Sequence, residues 1–216
     1  VEPTELTPEL SDLILGSPKV CNHLHVPLES GSDSVLGRMR RGYTREHYSD
    51  AVRQVTSRDP LCGLGADVMV GFPGETDEDF SDTVSLIESL PFTYLHVFTY
   101  SRRKGTPAAS MADIVPAEEA GRRSAALREL GRRRSLRFRQ GLVGKVMDVL
   151  IESGRGRNRG TLSGLAGNYV RVQVEGGSEL ANRIVPVRIR GADEKRTWGR
   201  VVRPAEPGSE IGADRG

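Results

Sequence analysis

A chain of 216 residues has room for one medium domain and one small one, and its 37% hydrophobic content suits a globular protein. It carries no signal-peptide pattern and no apolar run long enough to cross a bilayer, which argues against a membrane partner and makes the cytoplasm the expected compartment. Its two cysteines, Cys21 and Cys62, fit no metal-ligand spacing, and the formal net charge of +2 conceals eight arginines against one glutamate between Gly121 and Gln140.

Three strand-like runs alternate with helical patterns over residues 1–140. Val20 to Leu28 ("VCNHLHVPL") predicts a strand, followed by a short helix over Ser32 to Met39 and a longer one over Thr44 to Ser57. Gly63 to Phe72 ("GLGADVMVGF") predicts a second strand. After Pro73 and Gly74 comes a helix in which Thr76 and Asp79 stand at capping-box spacing, and Phe80, Val84 and Ile87 recur on one face. Thr93 to Tyr100 predicts the third strand, and a long arginine-rich helix is expected after Pro116. This order belongs to the α/β class, either a parallel sheet or part of an α/β barrel. From about Gly141, short β-rich runs separated by Gly, Ser and Asn predict a separate, small antiparallel β-barrel over residues 141–203. Residues 204–216 have no apolar pattern and are expected to be disordered.

Alternation along the strands sorts their side chains. Leu24, Val26 and Leu28 oppose Cys21, His23 and His25; Leu64, Ala66, Val68 and Val70 oppose Asp67 and Met69; Leu95 and Val97 oppose His96, Phe98 and Tyr100. Ligands of parallel α/β proteins sit at the carboxyl ends of the strands, here Glu29 to Asp33, Gly71 to Thr76 and Ser101 to Thr106, all rich in glycine and polar residues. Each has a plainer reading. Ser30 and Gly31 bend the chain and Ser32 caps a helix, or they form a ligand rim. "GFPGET" lacks the lysine of a phosphate loop, having Glu75 there, and is either a turn or a glycine-lined approach to a flat ligand. Arg103 is a solvated charge or a clamp for a carboxylate or phosphate. His23-x-His25 offers two metal ligands, but no third His, Cys or carboxylate stands at metal spacing, so a hydrogen-bonded pair and no metal site is expected. Clustering of arginines without compensating acids favours contact with nucleic acid over a merely solvated helix face.

"PKVCNHLHVPLESGSDSVLGRMRRGYT", "DVMVGFPGETDEDF" and "LHVFTYSRRKGTPAASM", in that order, resemble the second half of a radical SAM methylthiotransferase. "VEP" and "HVFTYSRRKGTPAA" are most similar to the MtaB branch, which methylthiolates carbon 2 of N6-threonylcarbamoyladenosine at tRNA position 37. "GTLSGLAGNYVRVQVEG" is similar to the RNA-binding TRAM domain that ends these enzymes. The resemblance implies a partial radical SAM barrel followed by a TRAM-like barrel, with S-adenosylmethionine as cofactor and the tRNA anticodon stem-loop as partner. It implies cofactor contacts from Glu29, Ser30, Gly31, Ser32, Asp67, Gly71, Phe72 and Glu75. Tyr100, Ser101, Arg103, Gly105 and Thr106 would close the site toward substrate. Glu29 departs from the commoner glutamine, and Arg102 and Lys104 replace frequent prolines.

The CxxxCxxC that binds the family's radical-generating 4Fe-4S cluster is absent, as are the cysteines of its amino-terminal domain. The chain therefore reads as a carboxy-terminal part of such an enzyme, expected to be inactive alone, with 4Fe-4S clusters only in the complete enzyme and the sulfur donor left open. Its rival reading is a non-catalytic RNA-binding protein. In either, Arg133, Arg137, Lys145 and Arg171, with Arg155, Arg157 and Arg159, are the expected phosphate contacts, and Tyr169 offers a ring for base stacking.

Overall fold

The computed structural model describes residues 1–153 and 160–202. Arg155, Arg157, Arg159 and the tail expected to be disordered lie outside the described residues.

An amino-terminal helix that periodicity did not single out, α1 (Pro8–Gly16), starts at the Thr7 cap and has Pro8 in its first turn. The next elements are β1 (His23–His25), α2 (Asp33–Arg38), α3 (Arg45–Thr56), β2 (Gly63–Val70), α4 (Asp77–Ser89), β3 (Tyr94–Thr99) and α5 (Ala117–Gly141). Local chemistry starts the helices where it is legible: Ser32, Thr44 and Thr76 each accept a hydrogen bond from the third residue onward, and Asp79 completes the capping box of α4.

The three strands form a parallel sheet in the order β1-β2-β3. Register pairs His25 with Gly65 and Asp67 with His96. As the alternation predicts, Leu24, Val26, Leu64, Ala66, Val68 and Val70 are buried under the helices, against Tyr48, Val52, Leu86, Ile87 and Leu127. Fully burying such a side chain stabilises by about 1.5–3 kcal/mol. The other face, carrying His23, His25, Asp67, Met69, His96 and Phe98, is partly or fully exposed.

Beyond α5 come β4 (Val146–Ile151), β5 (Thr161–Ala166), β6 (Arg171–Glu175), β7 (Ile184–Ala192) and β8 (Thr197–Val201), closed into a barrel in the order β4-β5-β6-β8-β7. The expected antiparallel barrel needs one correction: β6 and β8 are parallel. Five strands are an odd number, so directions cannot alternate all the way round, and one seam of a closed ring must be parallel. Val149, Ile151, Val172, Val174, Val187 and Ile189 fill the interior.

The barrel is seated against the sheet. Phe138 of α5 and Leu61 pack onto the barrel core. Arg139 donates to the carbonyls of Asp193 (2.7 Å) and Arg196 (3.1 Å), and Asn168 Nδ2 donates to the Leu61 carbonyl (3.2 Å).

Candidate functional site

The first rim is held rather than offered. Glu29 has φ near 60°; its N–H donates to the Asp67 carbonyl (2.8 Å) and its carbonyl accepts from the Met69 N–H (2.8 Å), so the chain follows β2 for one residue past β1. Ser30 Oγ lies 3.3 Å from Thr83 Oγ1, the Gly31 N–H donates to the same oxygen (2.9 Å), and Ser32 Oγ donates to Asp79. Thr83 and Asp79 both belong to α4. A Cβ on Gly31 would stand 2.5 Å from Thr83 Cα, so only glycine lets the rim reach the helix backbone. Ser30, Gly31 and Ser32, expected to contact cofactor, are buried and engaged in this way.

A second rim follows the same logic. Gly71 and Gly74 take φ values of 74° and 77°, and the turn curls so that Glu75 Oε2 accepts from the Gly71 N–H at 2.7 Å. Arg123 of α5 donates to that oxygen at 2.7 Å, and to Asp77 and Glu119 at the same distance. Only 1% of the Glu75 side chain is exposed. Burial pushes its carboxyl up, while the Gly71 N–H and Arg123 draw it back. Glu75, expected at the ligand, is thus a buried anchor that docks the long helix on the rim, its carboxylate kept satisfied out of water by Arg123 and the Gly71 N–H.

What remains open between the rims is a cavity of about 430 Å³ lined among others by Glu29, Arg41, Met69, Phe72, Thr106 and Met111. Its volume suits a small molecule. Glu29 presents a half-buried carboxylate paired with Arg41; burial raises its pKa and Arg41 opposes the rise. Tyr100 packs edge-on against Phe72, centroids 5.3 Å apart. Ser101, Arg102, Arg103 and Lys104 are exposed, Arg102 and Lys104 line an adjoining pocket that shares Thr106 and Pro107 with the cavity, and Thr106 donates to the Arg103 carbonyl at 2.8 Å. Of the expected cofactor residues, Glu29 and Phe72 line the cavity, Gly71 shapes its turn, and Asp67 lies on the open sheet face.

On that face a chain of contacts crosses all three strands. His23 Nε2 lies 3.0 Å from Tyr94 Oη, which is 3.1 Å from His25 Nδ1; His25 Nε2 and His96 Nδ1 each lie 3.1 Å from Asp67 Oδ1. A Cβ on Gly65 would stand 2.0 Å from the Tyr94 ring, so glycine here is what lets the ring lie across β2 between the two histidines. Along the chain no third ligand stands at metal spacing from His23-x-His25. Parallel pairing supplies two neighbours to His25 from positions 42 and 71 residues away, and His96, assigned no role from sequence, was visible only as a polar residue in the alternation of β3.

The basic residues divide. Arg123 is buried; Arg134 donates to the Leu90 carbonyl, Arg139 to the barrel, and Arg171 pairs with Glu152. Among the described residues Arg133, Arg137 and Lys145 form no ion pair, and all three are exposed. Tyr169 does not have both faces free: His23 stacks on one, centroids 4.0 Å apart. As for cluster ligands, Cys21 is exposed and Cys62 is buried, its thiol pushed up to about 12 by burial and Asp59. Two cysteines so placed do not make the thiolate set of a 4Fe-4S cluster.

Residues 1–87 match the Radical SAM superfamily model, and with the parallel sheet and its rims they place the chain in that superfamily. The curated relatives it resembles there are tRNA methylthiotransferases. It is 40% identical over 190 residues to a tRNA-2-methylthio-N(6)-dimethylallyladenosine synthase of Pelotomaculum thermopropionicum, covering 88% of this chain and 42% of that one. The corresponding enzyme of Desulfitobacterium hafniense is 36% identical over 197 residues (91% and 44%). The threonylcarbamoyladenosine tRNA methylthiotransferase MtaB of Bacillus subtilis is 35% identical over 208 residues (95% and 46%). The chain therefore spans less than half the length of the curated relatives it matches, and both branches are represented among them. No helix among the described residues is long and apolar enough to cross a membrane.

Proposed function

We propose that this chain is the cofactor-rim and RNA-contacting part of a tRNA methylthiotransferase, acting at carbon 2 of an N6-modified adenosine at position 37 in the anticodon loop. The observation that carries the reading is the cavity between the three rims, in a chain similar over about nine tenths of its length to such enzymes. S-adenosylmethionine fits the lining: Met69, Phe72 and Met111 offer apolar surface to a flat base, and the Glu29 carboxylate, shared with Arg41, offers its second oxygen to the ammonium end. When bound it supplies a methyl group and the adenosyl fragment used in radical SAM chemistry. The residues of this chain bind and orient it, while α4 and α5 hold the rims rigid. They provide no cluster ligand set, so the chain by itself is expected not to turn over.

The third rim favours N6-threonylcarbamoyladenosine as substrate. Arg102, Arg103 and Lys104 are exposed, Arg102 and Lys104 on an adjoining pocket that shares Thr106 and Pro107 with the cavity, and a threonylcarbamoyl group ends in a carboxylate that such cations can neutralise. A dimethylallyl group offers such a rim nothing. The opposing observation is the 40% identity to a dimethylallyladenosine enzyme.

Calorimetry with S-adenosylmethionine tests the cofactor reading: Phe72→Ala and Glu29→Gln weaken binding at least tenfold, whereas unchanged affinity in both sinks it. Anisotropy with an anticodon stem-loop tests the RNA reading. With about four phosphates neutralised, log K falls against log salt with a slope near −3, and Arg133→Glu with Arg137→Glu flattens it. Arg103→Ala removes any preference for a stem-loop bearing the threonylcarbamoyl group; a preference for the dimethylallyl form assigns the other branch.

A further inference from the structure

His25, Asp67 and His96 each present one ligand atom, and the three atoms lie within 4.8 Å of one another on the open face of the sheet. They come from three adjacent strands, so the backbone spacing of the parallel sheet, not a flexible loop, sets their separation. We propose that this trio is a binding site for a first-row divalent metal ion such as Zn²⁺ or Fe²⁺, distinct from the rim cavity and independent of the function proposed above.

Two histidines and one carboxylate are the donor set of facial metal sites that keep positions open for an outside ligand. Both histidine nitrogens stand 3.1 Å from the same carboxylate oxygen. Ligands so spaced on an ion with bonds of about 2.1 Å subtend about 95°, near the right angle of a facial arrangement. The two histidine nitrogens are no more than 4.8 Å apart, and rotation of the His96 ring, which is 56% exposed, closes the third side. The open positions then face away from the helices, toward the unpaired face of the sheet.

A second observation supports the assignment. Metal-bound histidines are oriented by a hydrogen bond at their other ring nitrogen, and His25 has one ready in Tyr94 Oη, itself held by His23. This chain works in either direction. Without metal, His23 N–H donates to Tyr94, Tyr94 O–H to His25 Nδ1, and His25 Nε2–H to Asp67. With metal on Nε2, His25 carries its proton on Nδ1, donates to Tyr94, and Tyr94 donates to His23. His23, Tyr94 and His25 each have both a donor and an acceptor form, so the switch leaves none of the three without a partner.

The test is titration of the full chain with Co²⁺, read by its d–d absorption, followed by displacement with Zn²⁺. One ion per chain is expected. Asp67→Asn and His96→Gln, which preserve side-chain size, each weaken Zn²⁺ binding at least tenfold, and Tyr94→Phe weakens it about tenfold through loss of the orienting bond. Cys21→Ser and His47→Ala leave it unchanged. Circular dichroism confirms that each variant is folded. No Co²⁺ signal, a signal that survives both Asp67→Asn and His96→Gln, or one lost in Cys21→Ser overturns the assignment.

Discussion

Tyr169, on the turn between β5 and β6, lies flat on His23 at the start of β1, with ring planes within 17° of parallel. The stack links the barrel to the sheet, and through His23 it reaches Tyr94 and His25. Tyr169→Ala is expected to cost about 0.5–1.5 kcal/mol in urea unfolding and to speed proteolysis between α5 and β4. A variant as stable as the parent but impaired in RNA binding would return Tyr169 to the base-stacking role that the sequence suggests.

Gly65→Ala drives a methyl group into the Tyr94 ring. The expected loss is about 1–3 kcal/mol, the usual cost of overpacking. In a Tyr94→Ala background the same substitution should cost much less, and a double-mutant cycle measures the difference. Equal costs in both backgrounds would show that the ring does not lie across β2.

Arg123 and Glu75 are both almost wholly buried. Arg123→Met leaves the Glu75 carboxylate dry and unpaired, and is expected to destabilise by about 3–5 kcal/mol in chemical denaturation. Adding Glu75→Gln should recover a large part of that loss, since no unpaired charge then remains. A double variant worse than the single one would contradict the account of the second rim.

Asp79 sets the expected acid sensitivity. Burial works to raise its pKa, but hydrogen bonds from Ser32, the Thr76 N–H and Arg38 together hold it below the ordinary value. A folded pKa below the unfolded one, about 3.9, gives stability that is present above that pH and is lost as pH falls through the folded pKa. Asp79→Asn should therefore lower stability at neutral pH and flatten its decline below about pH 4. Parallel pH profiles for parent and variant would remove Asp79 from the first rim's anchor.

Whatever depends on neighbours a few residues apart is legible in the residues alone. Strand alternation separated Val26, Val68 and Val97 from His25, Asp67 and His96, the caps at Ser32 and Thr76 marked two helix starts within a residue, and the helical pattern from Thr44 marked a third. The α/β order followed by short β runs announced a sheet and a small barrel. Tertiary structure alone decided which of the rim residues are engaged within the fold: Ser30, Ser32 and Glu75 have the composition of a binding loop, yet their partners Thr83, Asp79 and Arg123 lie 47 to 53 residues away. It also decided that His25 meets Asp67 and His96, that one barrel seam is parallel, and that several arginines of α5 are occupied by the fold. A hydroxyl or a charge carries the same chemistry whether it anchors a helix or meets a ligand, and only the positions of distant strands and helices determine which groups remain unpaired.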